Sequence, residues 1–198
     1  ETDFDDLLER IREIRTSERR YYQKVTDIYS ECSVDYDKNS EVTLAFFKTV
    51  QNIMHYAVSG QTAAEIVYHR SDAERPHMGL TTWKNAPNGR VIKSDVTVAK
   101  NYLSEKEVEE LNLLTTQYLD YAELQAKNHV LMTMSDWKRA LNRFLEFNQL
   151  EVLIDKGTIS HQQAEEKAVA EYEKFRIIQD REIMSDFDQQ LKLLLNGR

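Results

Sequence analysis

The chain holds five glycines and two prolines in 198 residues, and five of those seven backbone breakers fall between Gly60 and Gly89. The sequence on either side is charged, glycine-poor and helix-periodic, so it reads as long helices flanking one irregular stretch, Gly60 to Tyr102. Irregular backbone held on a rigid helical frame is where binding residues tend to sit. That stretch is therefore the first place to look for function.

The flanks resolve into elements by spacing. Phe4, Leu7, Ile11, Ile14, Glu18, Tyr21, Val25, Ile28 and Cys32 alternate steps of three and four, a 3.5-residue period that predicts a helix over Thr2–Glu31 with a coiled-coil stripe. Glu18 is the one polar interruption, and Arg10, Arg12, Arg15, Arg19 and Arg20 flank the stripe. Such a stripe serves equally for packing within one chain and for an intermolecular seam. A second helix is expected over Ser40–Ala57, with Leu44, Phe47, Val50, Ile53 and Met54 on its apolar face and Gly60 beyond its end.

Thr62 and Glu65 form a capping box that opens a short helix to about Arg70. Ser104–Glu107 opens another through Leu111, Leu114, Tyr118 and Tyr121. Thr133–Asp136 starts the next, with Trp137, Leu141, Phe144, Phe147 and Leu150 as its buried face and Gly157 closing it. Ser160–Gln163 caps the last, through Ala164, Ala168, Tyr172, Phe175 and Ile178, with an interruption expected at Ser185–Asp188.

Inside the irregular stretch, Leu80–Trp83 and Arg90–Lys93 have strand character around the Gly-bearing turn Asn85–Gly89, which predicts a β-hairpin. The expected fold is mainly α, an antiparallel assembly of long helices with a short β-hairpin-containing insertion. It forms one domain: residues 1–59 as an N-terminal helical pair, 60–103 as the insertion and 104–198 as the C-terminal helices.

Composition bounds the function. One cysteine, Cys32, leaves no internal disulfide and no cysteine-based zinc finger, and fits a reduced, cytoplasmic setting. No apolar run reaches membrane-spanning length, and no signal peptide is visible, so no membrane partner is expected. The chain enters a helical pattern by Phe4 without an initiating methionine and reads as a piece of something longer. Net charge is −8, against a globally electrostatic nucleic-acid binder. From Gly60 to Asn101, however, six Lys/Arg stand against four acids, a +2 island in a −10 remainder.

Motifs of known chemistry are missing. There is no phosphate-binding Gly-rich loop, no H-E-x-x-H and no serine-nucleophile elbow. Asn88-Gly89-Arg90 echoes the end of the Fic-type nucleotidyl-transferase loop, but its histidine would fall at Thr82 and its preceding glycine at Pro87, so the match fails. Glu65 and His69, four apart on the short helix, share a face and are the acid/base candidates. Arg70, Lys84, Arg90, Lys93 and Lys100 are the candidate anion-binding residues. No metal site and no cofactor is expected.

Several phrases together resemble the virulence protein RhuM family of bacteria. Among them are Phe4-Asp5-Asp6-Leu7-Leu8-Glu9-Arg10-Ile11, Gly60-Gln61-Thr62-Ala63-Ala64-Glu65-Ile66 and Met78-Gly79-Leu80-Thr81-Thr82-Trp83-Lys84. Others are Tyr118-Leu119-Asp120-Tyr121, Phe144-Leu145-Glu146-Phe147-Asn148 and Phe175-Arg176-Ile177-Ile178-Gln179-Asp180-Arg181. The resemblance spans nearly the whole chain. It implies a link to virulence and mobile elements, with no catalytic mechanism to carry over. It also implies a preceding region resembling a DNA-binding module, through which nucleic acid would be met.

Two expectations follow, with direct nucleic-acid binding by the basic Gly60–Asn101 island a weaker third. One is an interaction or oligomerisation module that self-associates through the first helix or binds another protein. The other is an enzyme acting on a phosphate-containing or nucleotide substrate through residues 60–102.

Overall fold

A computed structural model describes residues 41–196 apart from 129 and 131, with side chains left undescribed over 182–196 and at scattered positions of the first and third helices below. The helix expected over residues 2–31 lies outside the described residues. Five α-helices follow: α1 Glu41–Ser59, α2 Ala63–Arg70, α3 Glu105–Lys127, α4 Met134–Phe147 and α5 His161–Asn196.

The helix starts are local chemistry. At α2 the Thr62 hydroxyl accepts from the Glu65 amide while Glu65 Oε2 accepts from the Thr62 amide, satisfying two otherwise orphan donors. Ser104 with Glu107, Thr133 with Asp136 and Ser160 with Gln163 repeat the arrangement at α3, α4 and α5.

α1 packs on α3 and α4, and α2 packs on α5. Val50, Ile53 and Met54 of α1, Leu111, Leu114 and Tyr118 of α3, and Trp137, Leu141 and Leu145 of α4 share one core. Trp137 is 1% exposed, and its backbone carbonyl accepts from the buried Tyr118 hydroxyl at 3.1 Å. Burying side chains of this size stabilises by about 1.5–3 kcal/mol each. Insertion residues Met78, Trp83, Val91, Val96 and Tyr102 join the same core.

Three expectations are corrected. There is no β-hairpin and, among the described residues, no strand; the chain between α2 and α3 is a series of turns. The backbone groups of the two expected arms bond elsewhere. Thr81 and Thr82 amides both donate to the Asn101 carbonyl, and the Lys84 and Ile92 amides donate to the Asp95 carboxylate. Val91 gives its N–H to Gln179 Oε1 at 2.9 Å and takes Gln179 Nε2 on its carbonyl at 3.3 Å. A glutamine amide carries the same donor and acceptor as a peptide, so α5 supplies what a partner strand would have given.

The second correction is at α4, which ends at Phe147 rather than near Gly157. Gln149 takes a left-handed backbone (φ 58) two residues on, and Phe147, expected in the core, is 86% exposed. Third, α5 passes through Ser185–Asp188 without interruption.

Candidate functional site

The insertion is held from outside by one face of α5. Lys167 Nζ donates to the Tyr68 and Ser71 carbonyls at 2.8 and 3.0 Å, satisfying acceptors at the C-terminal end of α2. One turn on, Glu171 accepts from the Ala73 amide at 2.9 Å. Two turns further, Gln179 grips Val91 and Asp180 pairs with Arg90. Ala164, Ala168 and Phe175 fill the spaces between, all buried. The spacing of three and four places these residues on one stripe.

Within the insertion, His77 (φ 51) and Met78 (φ 63) are left-handed and lead into Gly79 (φ 82). That geometry costs about 1–2 kcal/mol for each non-glycine residue. It is offset by complete burial of Met78, by the Asp72 amide on the Met78 carbonyl and by His77 stacked on Trp83 with ring centroids 4.4 Å apart. Tyr102 donates its hydroxyl to the Val96 carbonyl, and burial with the nearby Asp95 carboxylate pushes its pKa up.

The candidate acid/base and anion-binding residues sit in different surroundings. Glu65 is 9% exposed, and its Oε1 accepts from both the Thr158 amide (2.7 Å) and hydroxyl (2.8 Å), while Oε2 serves Thr62. Burial alone would push this carboxyl up; the N–H and hydroxyl donors of Thr158 and Thr62 outweigh it and hold the pKa at about 2. A general acid or base works best with a pKa near the operating pH, which Glu65 does not have. His69 is exposed and lies edge-on to Tyr68.

Arg70 makes a two-pronged ion pair with Glu107, both contacts at 2.7 Å, and also donates to the Tyr102 carbonyl and Gln61 Oε1. Burial pushes the Glu107 pKa up, and the Arg70 guanidinium together with the Ser104 N–H and hydroxyl donors more than reverses that. Arg90 is paired with Asp180. Lys84 and Lys93 are exposed, and Lys100 is half-buried. Among the described residues, no three His, Cys, Asp or Glu side chains meet as a metal site, and no helix is long and apolar enough to cross a membrane.

A feature the sequence did not reveal lies elsewhere. Between the end of α3 and α4 is a cleft of about 500 Å3, lined by Tyr121, Met132, Arg139, Arg143, Phe144 and Phe147 among others. None of the seven candidates lines it. Helical spacing alone puts Phe144 and Phe147 on the core face of α4, although Phe147 stands one turn from the cationic Arg143.

The architecture therefore defines an all-helical body in which a turn-rich insertion is fastened to a long terminal helix. The virulence protein RhuM family profile matches residues 1–184, and the chain belongs to that family. No curated protein and no solved structure matches it.

Proposed function

We propose that this chain is an interaction module of a RhuM-family protein and that it self-associates through the helix expected over residues 2–31. The observation that carries the reading is the apolar stripe of period 3.5 from Phe4 to Cys32, four heptads long. The insertion supports it indirectly: Glu65, Arg70 and Arg90, three of the candidate reactive or anion-binding residues, are engaged in internal bonds.

Sedimentation equilibrium of the 198-residue chain tests this. The chain is expected to be dimeric at micromolar concentration, and the double variant Ile11→Asp/Ile14→Asp to be monomeric. A wild-type monomer at 100 µM, or a double variant that assembles like wild type, removes the proposal.

A further inference from the structure

Residues 75–94 contain no Asp or Glu, in a chain that carries 34 acids over 198 residues. The acid that ends this stretch, Asp95, is 5% exposed, and its two oxygens accept the Lys84 and Ile92 amides at 3.0 and 2.9 Å. Its carboxylate therefore gathers the chain, with Lys84 and Lys93 on either side, while its own charge stays buried. Both lysines are exposed, and neither is in an ion pair among the described residues. Arg75 and Arg90 lie in the same stretch, each paired with one partly exposed aspartate, Asp72 and Asp180. Exposed pairs of this kind are weak, so both guanidiniums add to the positive potential.

The same stretch carries an aromatic ring held in place. His77 is exposed and stacks on buried Trp83, the residue before Lys84, with ring centroids 4.4 Å and planes 29° apart. Trp83 is fixed in turn by its Nε1–H on the Gly89 carbonyl at 2.7 Å. One face of the imidazole is covered and the other is turned to water. The left-handed backbone of His77 and Met78 (φ 51 and 63) sets the ring there, and backbone strain of that kind clusters where ligands are held. A flat ring beside unpaired cations matches a nucleotide, base to ring and phosphate to ammonium. Stacking on the ring requires a base that is not already enclosed in a duplex.

We infer that the face formed by residues 75–94 binds single-stranded nucleic acid, with a base stacked on His77 and neighbouring phosphates paired with Lys84 and Lys93. The contact is local, so the net charge of −8 does not oppose it as it would a binder that works through its whole surface. It needs no second copy of the chain. Neutralising two phosphates of a single strand gives a salt slope of roughly −1.4, an affinity loss of about sevenfold between 50 and 200 mM salt.

The probe is a fluorescein-labelled oligothymidylate of twelve nucleotides, titrated with the full chain and followed by fluorescence anisotropy. Saturable binding below 500 µM chain is expected in 50 mM NaCl, with the sevenfold loss at 200 mM. Lys84→Glu/Lys93→Glu should weaken it at least tenfold. His77→Gly, which the left-handed backbone accommodates, should weaken it at least fivefold, the lower end of what one base–aromatic stack contributes. Circular dichroism and urea melts check that these variants fold. An abasic strand of the same length tests the stack on the unchanged chain and should also bind at least fivefold more weakly. An oligouridylate run in parallel tells RNA from DNA, and either strand showing these losses supports the site. No saturable binding, a flat salt response, or equal affinity for the abasic strand or for a twelve-base-pair duplex overturns the inference. So does affinity that is lost in Arg19→Glu/Arg20→Glu and kept in Lys84→Glu/Lys93→Glu, which would place the strand on the first helix.

Discussion

Replacing Glu65 with glutamine tests a buried carboxylate that ties the start of α2 to the loop before α5. The carboxylate receives two donors from Thr158 on Oε1 and one from Thr62 on Oε2, all between 2.7 and 2.9 Å. Glutamine keeps one oxygen and turns the other into an N–H donor, so either Thr62 or Thr158 faces a donor instead of an acceptor. Hydrogen bonds to a charged group contribute about 1.5–3 kcal/mol, and an unpaired buried donor costs about 1–3 kcal/mol. The ionisation gives a second route to the magnitude. A carboxyl that ionises near 2 instead of 4.5 favours the folded state by roughly 3 kcal/mol at 1.36 kcal/mol per pH unit.

The sign follows from the lowered pKa: this stability is fully present above pH 4.5 and is lost as the pH falls through 4.5 toward 2. Urea denaturation at pH 7 is expected to show Glu65→Gln destabilised by about 2–4 kcal/mol. The gap between wild type and variant should shrink steadily from pH 5 to pH 2.5, because the unfolded wild type takes up a proton there that folded Glu65 still refuses. A variant within about 0.5 kcal/mol of wild type at pH 7, or a gap that stays constant with pH, would refute the reasoning.

Two further substitutions test the fastening of the insertion. Gln179→Leu leaves the buried Val91 amide and carbonyl unpaired; about 2–3 kcal/mol of stability should be lost, with hydrogen exchange at Val91 accelerated, and unchanged exchange there would show that Gln179 is not its partner. Gly79→Ala places a Cβ 2.3 Å from the Arg70 carbonyl oxygen at a φ of +82, so a loss of about 2–4 kcal/mol is expected in a thermal or urea melt.

What could be read from the sequence was short-range. The capping pairs Thr62/Glu65, Ser104/Glu107, Thr133/Asp136 and Ser160/Gln163 each join residues three apart, and all four occur where helices begin. The stripe of Ala164, Ala168 and Phe175 was equally legible because its period is local. The strand character around Asn85–Gly89 does not become a hairpin because the group that pairs Val91, Gln179, lies 88 residues away in sequence.

Its sequence position makes Gly157 a natural helix stop. In the structure it permits a close approach instead: at φ +78, an added Cβ would come within 2.8 Å of Thr62 Cγ2 and 3.1 Å of Glu65 Oε1. The candidate site was obscured for the same reason. A sequence shows that Arg70 is cationic, but not that Glu107 already neutralises it. Nor does helical periodicity distinguish Phe147, at the edge of a cleft, from Leu145, fully buried two residues earlier.

The fastening by α5 also bears on the order in which the protein can fold. Its contacts span 99 residues from Tyr68 to Lys167, 98 from Ala73 to Glu171 and 88 from Val91 to Gln179. Contacts this distant must overcome loop-closure entropy before they stabilise anything, which makes them late and slow to form. On a ribosome, residues 60–103 emerge long before the helix that completes their hydrogen bonding. Until α5 is released, the Ala73 and Val91 amides depend on water, so this insertion is the part of the nascent body that matures last.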